Sequence, residues 1–467
     1  MRRFAFTLLA GAFLPSLAGA AAAQGFGVYE HGTCTMGRAG VAAARPCADG
    51  SAIFFNPAGL AGLSGNRASL GVTLIGASGS FTDDFLGHET PLDNPLIPVP
   101  NLYITHAFSP KLTVGIGAFA PYGLETKWPT ENFEGRFLGY NTDLKSIYVQ
   151  PTIGYQLHDR LKVGVGIAYI HSTLALHQRS DLSQQFVPPA LAALFPTPLP
   201  AGTRFAALGV PTGTDFADAE LTATGSGFAV NFGAILKVND RLTIGGHWLT
   251  RKTITYDGDA VFNPVATGLA LPVTIGTCPA CVPAGTLIDG LVAGSFADGG
   301  PLDTTTVTTS IIMPPQGSLG FAYDMTDNWT VMADYHLVVW GWFNAIEIDF
   351  ENAATPDLTL HPGNKDTHGF RIGTEYRTSP KLMLRGGYLY HSAASPSEFV
   401  TPLLPEGARN EFTIGAGFAA SPKLHVDLGY QYIKQNDRRG TVNTALGNTG
   451  LYQFSAHLFG VGLSYTF

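Results

Sequence analysis

The sequence predicts an all-β membrane protein, a fourteen-stranded antiparallel transmembrane β-barrel. Three observations carry that prediction: few charges among many glycines and aromatics, no stretch beyond the N-terminus able to form a spanning helix, and a tight-turn phrase repeated between long connections. Of 467 residues only 13% are Asp, Glu, Lys or Arg, about half of the roughly 25% usual in soluble domains. Glycine numbers 56, Phe 30 and Tyr 17, so the chain has apolar surface to bury and is not disordered. The net charge of −8, which becomes −10 without Arg2 and Arg3, argues against a nucleic-acid partner, because phosphate binding needs a basic face.

The first element is a leader. Arg2 and Arg3 precede an apolar run from Phe4 to Leu17 and the small residues Ala18 to Ala23, so residues 1–23 read as a cleaved signal peptide. A membrane anchor is the rival reading, but the run is shorter than the roughly 20 residues a bilayer requires. Beyond it, the longest uncharged stretches, Leu182 to Thr203 and Ala260 to Ile288, are broken by Pro188, Pro189, Pro196, Pro198 and Pro200, and by Pro264, Pro272, Pro279 and Pro283. With no helix to span lipid, a closed barrel is the remaining way to satisfy the backbone there.

The strand number comes from turns. Ser109-Pro110-Lys111-Leu112, His158-Asp159-Arg160-Leu161, Asn239-Asp240-Arg241-Leu242, Thr326-Asp327-Asn328-Trp329, Ser379-Pro380-Lys381-Leu382 and Ser421-Pro422-Lys423-Leu424 are six copies of one hairpin phrase. Seven long connections alternate with them, at 81–98, 123–142, 177–219, 258–303, 351–366, 393–408 and 436–450. Short turns on one side and long loops on the other are the pattern of bacterial outer-membrane barrels, and six plus seven connections join fourteen strands.

Within strands, Leu112, Val114 and Ile116 alternate with Thr113, Gly115 and Gly117, and Leu161, Val163, Val165 and Ile167 alternate with Lys162, Gly164 and Gly166. Leu424, Val426, Leu428, Tyr430 and Tyr432 likewise oppose His425, Asp427, Gly429 and Gln431, which places the small and polar set toward the lumen. The last strand carries Phe459, Val461, Leu463, Tyr465 and a terminal Phe467 on one face, similar to the signal read by barrel-insertion machinery. The expected setting is the bacterial cell outer membrane, as a monomer among outer-membrane lipid and lipopolysaccharide.

Before the first strand stand Met36-Gly37-Arg38-Ala39-Gly40 and Asp49-Gly50-Ser51-Ala52-Ile53-Phe54-Phe55-Asn56-Pro57-Ala58-Gly59-Leu60. Here the chain resembles the long-chain fatty acid transporter family (FadL), which includes outer-membrane carriers of aromatic hydrocarbons. The resemblance continues at Phe119 to Leu124, Trp340 to Phe350, Leu384 to Tyr388 and Leu404-Pro405-Glu406-Gly407-Ala408-Arg409-Asn410. It implies an N-terminal plug, or hatch, of residues 24–64 inside a barrel of residues 65–467, with Phe54, Phe55, Asn56, Pro57, Ala58 and Gly59 at the gate. From the residues alone, Asn56-Pro57 could equally be a helix stop or a turn with no moving part.

The family also implies an outer groove in the third and fourth loops, and a side exit at a kink in the third strand. The candidates are Phe186, Val187, Leu191, Leu194, Phe195, Phe262, Val265 and Leu269 for the groove, and Gly117, Pro121 and Gly123 for the exit. Simple loop-to-loop packing is the alternative for the first set, and a strand merely ending at Pro121 is the alternative for the second. The implied ligand is a hydrophobic small molecule, a fatty acid or a hydrocarbon. A general diffusion porin for polar solutes, or an adhesin or phage receptor, are the competing functions.

Among predicted lumen charges Arg371, Glu375, Arg385, Glu411 and Asp427, a hairpin centred on Pro380 sets Glu375 opposite Arg385, which favours an ion pair there over a ligand contact. Arg371 is offset from that pair and is the first candidate for a solute carboxylate. The cysteines Cys34, Cys47, Cys278 and Cys281 are disulfide candidates, with three possible connectivities. A lone Cys-x-x-Cys could bind metal or act in redox chemistry, but it lacks the four ligands of a structural zinc site. No Gly-x-Ser-x-Gly, His-Glu-x-x-His or Gly-x-x-x-x-Gly-Lys occurs, so neither an enzyme nor a cofactor is expected.

Overall fold

The computed structural model describes residues 27–467, apart from 196, 277, 279–280, 344–345, 356, 361–362 and 441–447. The expected signal peptide and the first residues of the expected plug therefore lie outside the described residues. Fourteen strands form the wall: β1 Asn66–Asp83, β2 Ile97–Ala107, β3 Leu112–Lys127, β4 Asn141–His158, β5 Leu161–Asp181, β6 Asp215–Lys237, β7 Leu242–Leu249 with Lys252–Pro264, β8 Thr305–Met313 with Gln316–Thr326, β9 Trp329–Val338 with Ile346–Phe350, β10 Thr367–Ser379, β11 Leu382–His391, β12 Arg409–Ala419, β13 Leu424–Gln435 and β14 Gly450–Thr466. All neighbours are antiparallel, and β14 pairs with β1 from Arg67↔Thr466 to Asp83↔Gly450, which closes the cylinder. No described helix is long and apolar enough to cross a membrane.

All six predicted hairpin turns are present. The alternative reading of Pro121 as a strand end needs correction. β3 does not end at Pro121 but runs on to Lys127, and it passes that point by a register shift between Phe119 and Tyr122. β7, β8 and β9 are each interrupted, β8 at Pro314-Pro315 where two successive residues offer no ladder N–H. Many strands exceed the 9–11 residues that cross a bilayer; β6 has 23, and such overhang shortens several loops relative to the expected boundaries.

Alternation sorts each strand. Outward residues such as Leu70, Ile167, Phe228, Leu319 and Phe459 are each more than half exposed and form the lipid-facing band. Inward residues meet residues 27–63, which lie within the barrel as a short helix Thr33–Met36, a second at Ala52–Phe55 and a 3₁₀ turn at Pro57–Leu60. Ile53, Phe54, Phe55 and Leu60 are fully buried in one cluster with Phe119, Tyr148 and Ile170 of the wall.

Candidate functional site: plug, lumen pocket and side opening

The lumen-facing glycines are small because the plug backbone lies against them. A Cβ added at Gly164 would stand 2.2 Å from the Pro57 carbonyl carbon, and one at Gly415 would stand 2.8 Å from the Gly37 Cα. Around these approaches the wall supplies polar partners for plug backbone that would otherwise be buried unpaired, at a cost of about 1–3 kcal/mol per group. Asp334 Oδ2 accepts the N–H groups of Ala42 and Ala43 at 2.8 and 2.9 Å. Gln150 donates to the Ile53 carbonyl at 2.6 Å, and Asn231 to the Phe54 carbonyl at 2.7 Å.

Asn56 joins plug to plug and plug to wall. Its Oδ1 accepts the Ala58 N–H at 3.1 Å, capping the 3₁₀ turn, while Nδ2 donates to the Ala43 carbonyl at 2.6 Å and to Gly246 of β7 at 3.2 Å. Phe54 and Phe55 pack edge to face, Pro57 begins the turn, and Ala58 is buried, with Gly59 tight against Pro46. This set is thus a compact seat against β4 to β7, and it fits the turn reading of Asn56-Pro57 as well as the gate reading.

Toward the periplasmic turns the seat is ionic. Glu375 lies opposite Arg385 in the β10–β11 ladder, and the Arg385 Nε to Glu375 Oε1 distance is 2.9 Å. Arg385 also meets Asp427 at 2.6 Å, and Arg38 of the plug joins the same Glu375 oxygen at 3.0 Å. Arg45 of the plug forms a two-pronged pair with Asp324 of β8 at 2.6 and 2.7 Å. Arg371, expected to await a solute carboxylate, is instead turned into this scaffold. It donates to the Gly40 carbonyl at 3.3 Å, lies 3.2 Å from His391 Nε2, and covers the Tyr29 ring at 4.5 Å. Glu411 is buried against Arg409 at 2.9 Å.

Across the barrel the wall is incomplete. The β2–β3 ladder runs from Ala107↔Thr113 to Leu102↔Ala118 and stops, leaving Ile97 to Asn101 paired with β1 alone. Pro98, Pro100 and Pro121 carry no ladder donor in this stretch. Between the two strands opens a cavity of about 310 Å³, lined by Leu70, Ile97, Val99, Phe119, Leu124 and Ile147. Behind it a lumen pocket of about 200 Å³ shares Val28, Ile75, Gly123 and Leu124 with the opening and adds Glu30, Glu406 and Arg409. The plug touches the opening directly, since the Val28 N–H donates to the Pro121 carbonyl at 2.9 Å. Gly123 lines the opening, whereas Gly117 sits below it in the paired ladder, under Ile53 and Tyr103.

The loop candidates lie in one place. Val187, Leu191 and Phe262 are buried in the same cluster as the plug phenylalanines, with Leu194, Phe195 and Leu269 half-buried against it. Phe186 is covered by Arg204 at 5.5 Å, and Val265 is half-buried at the β6 end, its N–H bonded to the Phe216 carbonyl. Loops three and four thus pack on one another, and a ligand groove there would have to form within that packing. Cys34 is bonded to Cys47 in the plug and Cys278 to Cys281 in the fourth loop.

Sequence reading missed Asp334, Gln150 and Asn231; their only signal is a polar residue on the lumen parity of an apolar strand. It also missed Pro98 and Pro100, which as proline in a strand were readable.

The whole arrangement matches a known pattern. A family model described as outer membrane protein transport protein (OMPP1/FadL/TodX) matches residues 14–467. The chain belongs to this family. Outer membrane protein P1 of Haemophilus influenzae is 23% identical over 498 residues, covering all of both chains. A FadL homologue of Pseudomonas aeruginosa superposes with a TM-score of 0.77 at 17% identity, covering 95% of this chain and all of that one. The Pseudomonas putida toluene transporter TodX gives a TM-score of 0.68 at 17% identity, covering 93% and 97%. These likenesses establish the fold, and the OMPP1/FadL/TodX family makes the chain an outer-membrane transport protein rather than an enzyme.

Proposed function

We propose that this OMPP1/FadL/TodX member moves hydrophobic small molecules, long-chain fatty acids or hydrocarbons, across the outer membrane and releases them sideways into lipid. The observation that carries this reading is the apolar gap between β2 and β3, continuous with the lumen pocket. Burying a methylene is worth about 0.8 kcal/mol, so a chain of about ten gains roughly 8 kcal/mol on capture. Release is then the hard step. A side exit lets the solute pass from pocket to bilayer without returning to water, while the plug blocks the periplasmic route. Capture would begin in the packed third and fourth loops, whose apolar residues lead to the lumen cluster. The likeness to TodX, the Pseudomonas putida toluene transporter, supports an aromatic hydrocarbon as one solute class.

Uptake of oleate and toluene in a deletion strain, complemented with the wild-type chain or with Pro121→Thr combined with Gly123→Val, tests this. The wild type should restore uptake and the double variant should restore it several-fold less, with the barrel assembled. Unchanged uptake of both solutes on deletion ends the proposal. Large steady ionic currents through single molecules would instead favour the diffusion porin.

A further inference from the structure

We propose that Tyr122 positions the side opening, its hydroxyl fastening the register shift of β3 to the break in β8 on another part of the wall, so that the gap beside β2 is held open from across the lumen. The inference rests on the side-exit reading. Tyr122 is 1% exposed. Its hydroxyl donates to the Pro314 carbonyl at 2.7 Å and accepts from Gln316 Nε2 at 2.8 Å. Pro314 and Pro315 are the two residues that interrupt β8, so one wall irregularity is bonded to another. The β8 break is in turn tied to the β9 break, because the Val339 N–H donates to the Pro315 carbonyl at 3.0 Å.

A closed wall is the competing state. Extending the register beyond Leu102↔Ala118 would set Asn101 opposite Phe119, Pro100 opposite Ala120 and Val99 opposite Pro121. The prolines weaken that pairing by removing donors but leave carbonyls and the remaining N–H groups able to bond. Open and paired arrangements of such a segment therefore differ by little, and a buried hydrogen bond made only in the open one shifts the balance about fivefold. The plug bond at Pro121 uses backbone and survives any side-chain change. The Tyr122 bond does not, which makes it separable by mutation.

Tyr122→Phe in the full chain keeps the ring against Tyr148 and removes the hydroxyl. Two readouts follow. Uptake of a hydrophobic solute that the wild type carries should fall about fivefold, with the folded, heat-modifiable band of the barrel unchanged. In a Pro100→Cys, Ala120→Cys background, oxidative cross-linking, which needs Cα atoms within about 7 Å, should rise about fivefold when Tyr122→Phe is added. Wild-type uptake together with unaltered cross-linking overturns the inference. A rise in cross-linking supports it even where the wild type carries neither oleate nor toluene, a result that would sink the transport reading alone. Should Tyr122→Phe fail to assemble, Gln316→Leu removes the other bond to the hydroxyl and is read the same way.

Discussion

From β8 to β10 the wall grips the plug with charge, through Arg38–Glu375 and Arg45–Asp324, and with the Asp334 carboxylate on two plug N–H groups. At β2 and β3 it meets the plug without charge, through the Val28–Pro121 backbone bond, the Tyr103 hydroxyl on the His31 carbonyl and apolar contacts, and leaves its own ladder unfinished. The contrast is between a part of the wall tied to the plug by charge and a part whose own ladder stops short. Ion pairs and glycine-to-backbone contacts hold the plug on one side, and prolines withhold ladder pairing at the gap that the proposed side exit would use.

The comparison breaks most visibly at glycine. Gly373→Val on β10 would force a side chain into the Arg38 carbonyl, plug backbone 2.5 Å from the added Cβ that cannot step aside, and the cost should exceed the usual overpacking of about 1–3 kcal/mol. Folded yield should collapse. Gly123→Val on the open side meets the Leu144 carbonyl oxygen at 3.5 Å and Val28 at 3.7 Å, ordinary contacts, and should assemble normally. Equal yields of the two variants would show that the seated side is no tighter than the open one.

Next in size is Arg38→Met. It leaves Glu375 with Arg385 alone and frees the Arg45 carbonyl that Arg38 holds at 2.5 Å. Breaking a buried pair from one side costs about 3–5 kcal/mol, so the thermal midpoint in detergent should drop clearly, and Glu375→Gln added to Arg38→Met should recover part of the loss. A midpoint within a degree of wild type would mean the ionic seat contributes nothing.

What the amino-acid order made readable follows the range of the interaction. The hairpin phrases are local, so the turns and the strand number could be counted. Glu375 opposite Arg385 follows from one turn and the period of two. That Arg38 would complete the cluster could not be read, because it arrives 337 positions earlier in sequence from a segment with no regular period. Gly164 was legible as a small lumen position, but the reason, plug backbone within van der Waals reach, is a tertiary fact. Arg371 was misread for the same cause: its offset from Glu375 was visible, and the Gly40 carbonyl and Tyr29 ring that occupy it were not. The breaks in β7 and β9 have no such cue as Pro314-Pro315 gives β8.

The smallest expected effect concerns Glu406, which reaches the lumen pocket beside the opening from the loop between β11 and β12. It is 3% exposed, and burial pushes its carboxyl from 4.5 to about 7, against the opposing pull of Arg409 and Arg438. Because the folded loop favours the protonated form, its contribution to stability is fully present below about pH 4.5 and is lost as pH rises through about 7. The Ala394 N–H that donates to Glu406 at 3.3 Å reports on that loop, so its hydrogen-exchange protection should be greater at pH 5 than at pH 8. Glu406→Gln keeps the side chain neutral and should flatten the difference after correction for intrinsic exchange. If wild type and variant vary alike with pH, the loop is not held by this proton. The softening near the pocket would then have to be sought in the β2–β3 edge, where no titratable side chain stands between Ile97 and Asn101.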